Sequence, residues 1–301
     1  MNWLTDLPQE PINKLLNPIG DVLGQGISGI LLWVFQEPIK FKIIKENEFQ
    51  ALANELAQKL QSIPTENRDT SKRGLLIKAI KESQYSISES DLRTMFASIV
   101  ASIADDRKNY ALSPRYITVL SQLGAEDAKL LILLNEQKSH QLPIACLRIS
   151  ENKTGAFQDV SEYYYYTDKK KIDILSSTTV NILVSLGIID FSSEKYLADS
   201  SYQAAYTTLN TYLNLYKSTH ERPSEVDHSY VSNKGKIELT SFGEQLFEYI
   251  FLKILNYQYI NQKSRQSARE TLPTTPKLGT RDPNERLPFH PYFSFRWLLG
   301  Q

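Results

Sequence analysis

With a single cysteine in 301 residues, Cys146, an intramolecular disulfide is excluded. That usage fits a reducing, cytoplasmic setting. The surrounding LPIACLRI is apolar, which marks Cys146 as a small core residue rather than a reactive thiol. An excess of one charge is also missing: Lys+Arg and Asp+Glu number 34 each, for a formal net charge of zero. Proteins that wrap duplex nucleic acid carry a basic excess or a basic face, so this balance weighs against that class without excluding a local patch. There is no long apolar run. The best, IGDVLGQGISGILLWVF (Ile19 to Phe35), holds Asp21, Gln25 and Ser28 and falls short of the roughly 20 apolar residues that span a bilayer. No secretory signal opens the chain, since MNWLTDLPQEPINK has acids and prolines where a basic region and an apolar run belong. A Walker loop, a dinucleotide glycine fingerprint and a Ser-His-Asp pattern are likewise absent. The expectation is a protein that is not an enzyme, with no cofactor and no evident small-molecule substrate.

Boundary signals and packing faces are what the chain does contain. Between Ser88 and Leu134 the spacing predicts three short helices. Ser88 is placed to cap the first, with Asp91 three residues on, and Leu92, Phe96, Ile99 and Ile103 recur at helical spacing. Ser113 before Pro114 starts the second, because proline lacks an N–H that N1 does not need. Gly124 ends it, and Ala125 opens a third carrying Leu130, Leu131 and Leu134. Upstream, residues 39–63 read as a long amphipathic helix with Phe49, Leu52, Ala53, Leu56 and Leu60 on one face. PTENRDTSK (Pro64 to Lys72) is a polar connection, and a further helix is expected from about Gly74 to Gln84.

The run LRTMFASIVASIADD…LSPRYITVLSQLGAEDAKLLILL resembles the bacterial abortive-infection alpha family, with Leu92, Met95, Phe96, Ala97, Pro114, Leu123, Asp127, Ala128 and Lys129 at the matching places. LAQKLQSIPTEN (Leu56 to Asn67) resembles that family's amphipathic helix, and IELTSFGEQLFEYI (Ile237 to Ile250) its closing strand and helix. The likeness covers about residues 45 to 252, discontinuously. It implies a part in bacterial antiviral defence and no particular reaction.

From Leu142 the pattern changes. ENKTGAFQDV reads as loop, and KKKIDILSSTTVNILVSLGIIDF as a helix ending at Gly187 and turning into a strand. GKIELTSFGEQLFEYIFL reads as a returning strand and a helix capped near Thr240 or Ser241. This order resembles a winged helix-turn-helix, with Ala125 to Gln137 as its first helix and Gly187 supplying the left-handed turn into the wing. Between the wing strands SSYQAAYTTLNTYLNLYKS carries Tyr202, Tyr206, Leu209, Leu213 and Tyr216 at helical spacing, an inserted helix. The fold class is therefore mainly α: a helical N-terminal half and a small α+β, winged-helix-like C-terminal half. The expected divisions are 1–38, a glycine-rich apolar segment; 39–123, helical; 124–262, winged-helix-like with a helical insertion at 200–218; and 263–301, a proline-rich tail.

Two contact surfaces compete. The expected third helix of the winged unit, LSSTTVNILVSLG, has no Arg or Lys, so nucleic-acid contact falls to Lys169, Lys170 and Lys171 just before it. A winged helix used as a scaffold is preferred on that ground. The four tyrosines Tyr163 to Tyr166 point several ways on any regular element, which suits packing better than base stacking. HERPSEVDH gathers His220, Glu221, Glu225, Asp227 and His228, but Pro223 breaks any helical ligand spacing and a solvated loop is expected. The other surface is the glycine segment. Ile19, Leu23, Ile27, Ile30 and Val34 recur every three or four residues, Gly20, Gly24 and Gly29 allow close helix contact, and Trp33 precedes Lys40, Lys42 and Lys45. Peripheral membrane contact on an anionic leaflet is one reading; a protein partner, self-association or packing on the chain's own domain is the other.

Overall fold

Apolar residues at three- and four-residue spacing dominate the chain between Gly20 and Glu136, and a computed structural model folds most of that stretch into helices. The structure describes residues 20–137, 139–151, 153–167, 169, 171–220 and 228–251. The helices are α1 (Gly20–Lys40), α2 (Glu46–Gln61), α3 (Arg73–Ser83), α4 (Ser90–Ile103), the single turn α5 (Asp106–Asn109), α6 (Pro114–Leu120) and α7 (Ala125–Glu136). In α4 every residue from Met95 to Ile103 is buried. A helix enclosed on all sides belongs at the centre of a bundle, and α2, α3, α6 and α7 pack around it.

Most of the helical signals act as expected. Phe49, Leu52, Ala53, Leu56 and Leu60 are all buried on α2. The Ser113 Oγ accepts from the Arg115 N–H at 3.2 Å, and the Gly124 N–H donates to Asp127 Oδ2 at 2.8 Å, opening α7. Ser88 is not the cap of α4. Glu89 holds that position, because a turn in which Glu89 N–H bonds the Ser86 carbonyl delays the helix. The helix expected from residue 39 begins only at Glu46, since α1 runs on to Lys40 and a turn intervenes.

Six strands follow among the described residues: β1 (Gln141–Glu151), β2 (Phe157–Asp159), β3 (Tyr164–Tyr166), β4 (Ile172–Ile174), β5 (Ile189–Ser192) and β6 (His228–Leu239). All pairings are antiparallel, in the order β4-β3-β1-β6-β5, with β2 beside the far end of β1. Helix α8 (Ser177–Ser185) precedes β5, α9 (Gln203–His220) joins β5 to β6, and α10 (Ser241–Ile250) follows β6 and packs on α4. Strand β1 is covered on both sides. Leu142 and Ile144 join the helical core, while Ala145 and Leu147 pack with Tyr206, Leu209 and Leu213 under α9. That double burial explains why LPIACLRIS reads as one apolar run instead of alternating.

Two expectations need correcting here. KKKIDIL does not begin a helix: Ile172 and Ile174 flank Asp173 in β4, paired with the tyrosines of β3, and the helix starts at Ser177 behind the cap Ser176. Phe157–Asp159 is not loop, because Arg148 of β1 draws Asp159 into register as β2. The inserted helix and the left-handed Gly187 (φ 73°) stand as expected. All described residues belong to one compact unit, Met1–Lys253. The proposed tail, 263–301, lies outside them.

Candidate functional site

Helix α1 is held to the chain by one face. Ile27, Leu31, Val34 and Phe35 are buried, and the Phe35 ring lies 5.3 Å from that of Phe49 on α2. Pro38 lies inside the helix, where its missing N–H leaves the Val34 carbonyl without an intrahelical donor. The Gln84 side-chain amide supplies one, donating to Val34 O at 2.6 Å. Four buried side chains of this size contribute roughly 1.5–3 kcal/mol each, so α1 does not leave the domain cheaply. Of the residues that the sequence singles out, Ile27 and Val34 therefore belong to the chain's own core and are not available for contact. Ile30 is half-buried and Trp33 is 57% exposed. Ile19 and the side chain of Leu23 lie outside the described residues.

The other face of α1 borders a groove of about 540 Å³, lined by Gly26, Gly29, Ile30 and Trp33 from α1, Thr70, and Arg73, Leu76 and Ile77 at the start of α3. Glycine within a helix costs about 1 kcal/mol against alanine. Close packing inside the chain does not require it at these two positions. A Cβ at Gly29 would meet nothing within 4 Å, and one at Gly26 only the Thr70 side chain at 3.9 Å.

At its C-terminal end α1 closes in a Schellman turn. The Ile43 N–H bonds the Pro38 carbonyl (2.8 Å) and the Lys42 N–H the Ile39 carbonyl (2.9 Å), with Lys42 in the left-handed position (φ 55°) where glycine is usual. A left-handed lysine costs roughly 1–2 kcal/mol, and strain of this kind is concentrated where a surface has work to do. The turn is pinned by buried Ile39 and Ile44 while Phe41 (65%) and Ile43 (76%) stand exposed between them. Lys40 reaches Glu37 at 4.0 Å and lies over the Phe41 ring at 5.6 Å, and Lys45 reaches Glu48 at 3.8 Å. Lys42 has no ion-pair partner among the described residues. Sequence reasoning picked out the lysines and missed Phe41 and Ile43, whose signal was the alternation IKFKIIK.

The other expected sites come apart. Lys169 is paired with Glu136 (2.7 Å) and Lys171 with Asp173 (2.6 Å); Lys170 lies outside the described residues. The exposed positions of α8 are Ser177, Thr178, Asn181, Val184 and Ser185. The tyrosines turn to different neighbours: Tyr163 packs edge-on against Phe191 at 5.2 Å and Tyr164 against Tyr212 at 4.9 Å. No group of three potential metal ligands occurs among the described residues, which omit Glu221 to Asp227. Cys146 is buried beside Tyr163 and Asp159, and burial pushes its thiol up to about 11, leaving almost no thiolate at neutral pH.

Residues 44–250 match the family model described as abortive infection alpha. No curated protein and no solved structure matches the chain.

Proposed function

The chain belongs to the abortive infection alpha family, and from that premise we propose that it is a bacterial antiviral defence protein that acts without catalysis, by resting the exposed end of α1 on a membrane. The observation that carries this reading is the turn after α1, where Phe41 and Ile43 face water between buried anchors. Moving two such side chains out of water yields roughly 1.5–3 kcal/mol each. A lysine near an anionic leaflet adds about 1 kcal/mol. The sum suits reversible, peripheral attachment rather than insertion. No helix among the described residues is long and apolar enough to cross a membrane. The reading places the protein in the cytoplasm, touching the inner leaflet.

The test is co-sedimentation of the purified full chain with vesicles of anionic or zwitterionic lipid. Wild type is expected to bind anionic vesicles in a salt-sensitive way, and Phe41→Ser with Ile43→Ser to weaken binding roughly tenfold or more, the loss of two buried apolar side chains. Lys42→Gly keeps the turn and removes one charge, so its preference for anionic lipid should fall several-fold, the worth of about 1 kcal/mol. Equal binding by wild type and the double variant would refute the reading.

The order β5–β6–β1, with α7 before β1 and α8 before β5, favours a winged-helix scaffold whose wing is opened by α9. We take it as a scaffold and not as a nucleic-acid regulator. The outward residues of α8 offer no cation to a phosphate backbone, and Lys169 and Lys171 are already engaged.

A further inference from the structure

We infer that two copies of this chain pair across the groove between α1 and α3, with Trp33 of each copy seated over Gly26 and Gly29 of the other. The groove is open and its walls are Ile30, Trp33, Leu76 and Ile77. Gly26 and Gly29 would each accept a Cβ within their own copy without a clash, so their small size serves a neighbour that comes close. Trp33 follows Ile30 and the two glycines on the same helical stripe, 57% exposed and without a ring partner among the described residues.

Charge selects a second copy as the neighbour. The Arg73 guanidinium lines the groove with no ion-pair partner among the described residues. One turn beyond Trp33 on its stripe stands Glu37, half exposed and bonded only loosely to Lys40, at 4.0 Å. An antiparallel crossing of two α1 helices about a two-fold axis near Ile30 sets Trp33 opposite the partner's glycine pair. The same crossing carries Glu37 past it, toward the end of the groove where Thr70 meets Gly26 and where Arg73 waits. The symmetry makes each contact twice and closes the assembly at two. Phe41 and Ile43 lie beyond the crossing, so this pairing stands or falls independently of the membrane reading.

Sedimentation velocity on the full chain over a micromolar concentration series tests it. Wild type is expected to reach the mass of two 34.5 kDa chains. Trp33→Ser should weaken pairing roughly tenfold or more, as loss of a buried interface tryptophan does. Gly29→Leu should give a monomer whose melting temperature is kept or raised, because its Cβ meets nothing within 4 Å in its own copy and leucine favours a helix over glycine. Glu37→Arg should weaken the dimer and Arg73→Glu added to it should restore it. A wild-type chain that stays at 34.5 kDa, or a dimer that Trp33→Ser and Gly29→Leu leave intact, overturns the inference.

Discussion

Gly243→Ala is expected to destabilise the chain by about 3 kcal/mol, the range reached when a core contact is forced apart. A Cβ at Gly243 would sit 2.1 Å from the carbonyl oxygen of Ile188 and 3.1 Å from its carbon. Both are backbone atoms and cannot swing aside. The approach is close because Thr240 ties three segments together. Its hydroxyl donates to the Gly187 carbonyl (2.5 Å) and accepts from the Gly243 N–H (3.0 Å), while its own N–H donates to the Ile188 carbonyl (3.0 Å). An alanine must push α10 away from the start of β5, and α10 carries Leu246, Phe247 and Ile250 into the core. Urea denaturation measures the loss. Gly26→Ala, where the nearest atom is 3.9 Å away, is the control expected to match or exceed wild type. A Gly243→Ala chain as stable as wild type would mean that α10 does not dock on β5 in this way.

Arg148→Met is the second large effect, with an expected loss of about 2 kcal/mol at neutral pH. Breaking a fully buried ion pair costs about 3–5 kcal/mol, discounted here because the Asp159 side chain is 31% exposed. Arg148 donates to Asp159 through Nε at 2.6 Å, lies 3.5 Å from Glu194, and stacks over the Phe157 ring at 3.8 Å. Tyr163 donates a further bond to Asp159 at 2.8 Å. Burial by itself would raise the Asp159 pKa, but the bonds from Arg148 and Tyr163 outweigh it and hold the carboxyl below its ordinary value. A depressed folded-state pKa contributes stability above the unfolded value of about 3.9 and loses it as pH falls through the folded one. Wild type should therefore keep this contribution down to the ordinary carboxylate range. In Arg148→Met burial acts with less opposition, so the depression shrinks or reverses; the variant should lose less stability than wild type as pH falls through the carboxylate range, and the gap between the two should narrow toward pH 3. Urea midpoints measured from pH 3 to 7 check both statements. Parallel curves for the two proteins would show that the pair is not coupled to folding.

The helical half was legible because its cues are local. Ser113-Pro114, Gly124 and the stripe on α2 each act within a turn or two of their own position, and each does what its residue type dictates. The sheet was less legible because its cues lie in distant partners. Ile172–Ile174 is a strand only because the tyrosines of β3 pair with it, and Phe157–Asp159 only because Arg148 stands opposite Asp159. Periodicity in α1 named the right helix but could not tell its two faces apart. Ile27 and Val34 resemble Ile30 and Trp33 in sequence, and only packing on α2 and α3 decides which are buried. Phe41 and Ile43 escaped notice for the opposite reason. Phe41, two places after Ile39, and Ile43, beside Ile44, fall in a stretch expected to be helical, and nothing local tells that a left-handed Lys42 turns them outward.

The most direct measurement is the efficiency of phage plating on bacteria expressing the wild-type chain or Phe41→Ser with Ile43→Ser, matched for protein level, over a broad phage panel. Wild type is expected to restrict at least one phage, and the double variant, equally folded, to restrict none. Restriction by the double variant at the wild-type level would contradict a defence role exercised through the exposed turn of α1.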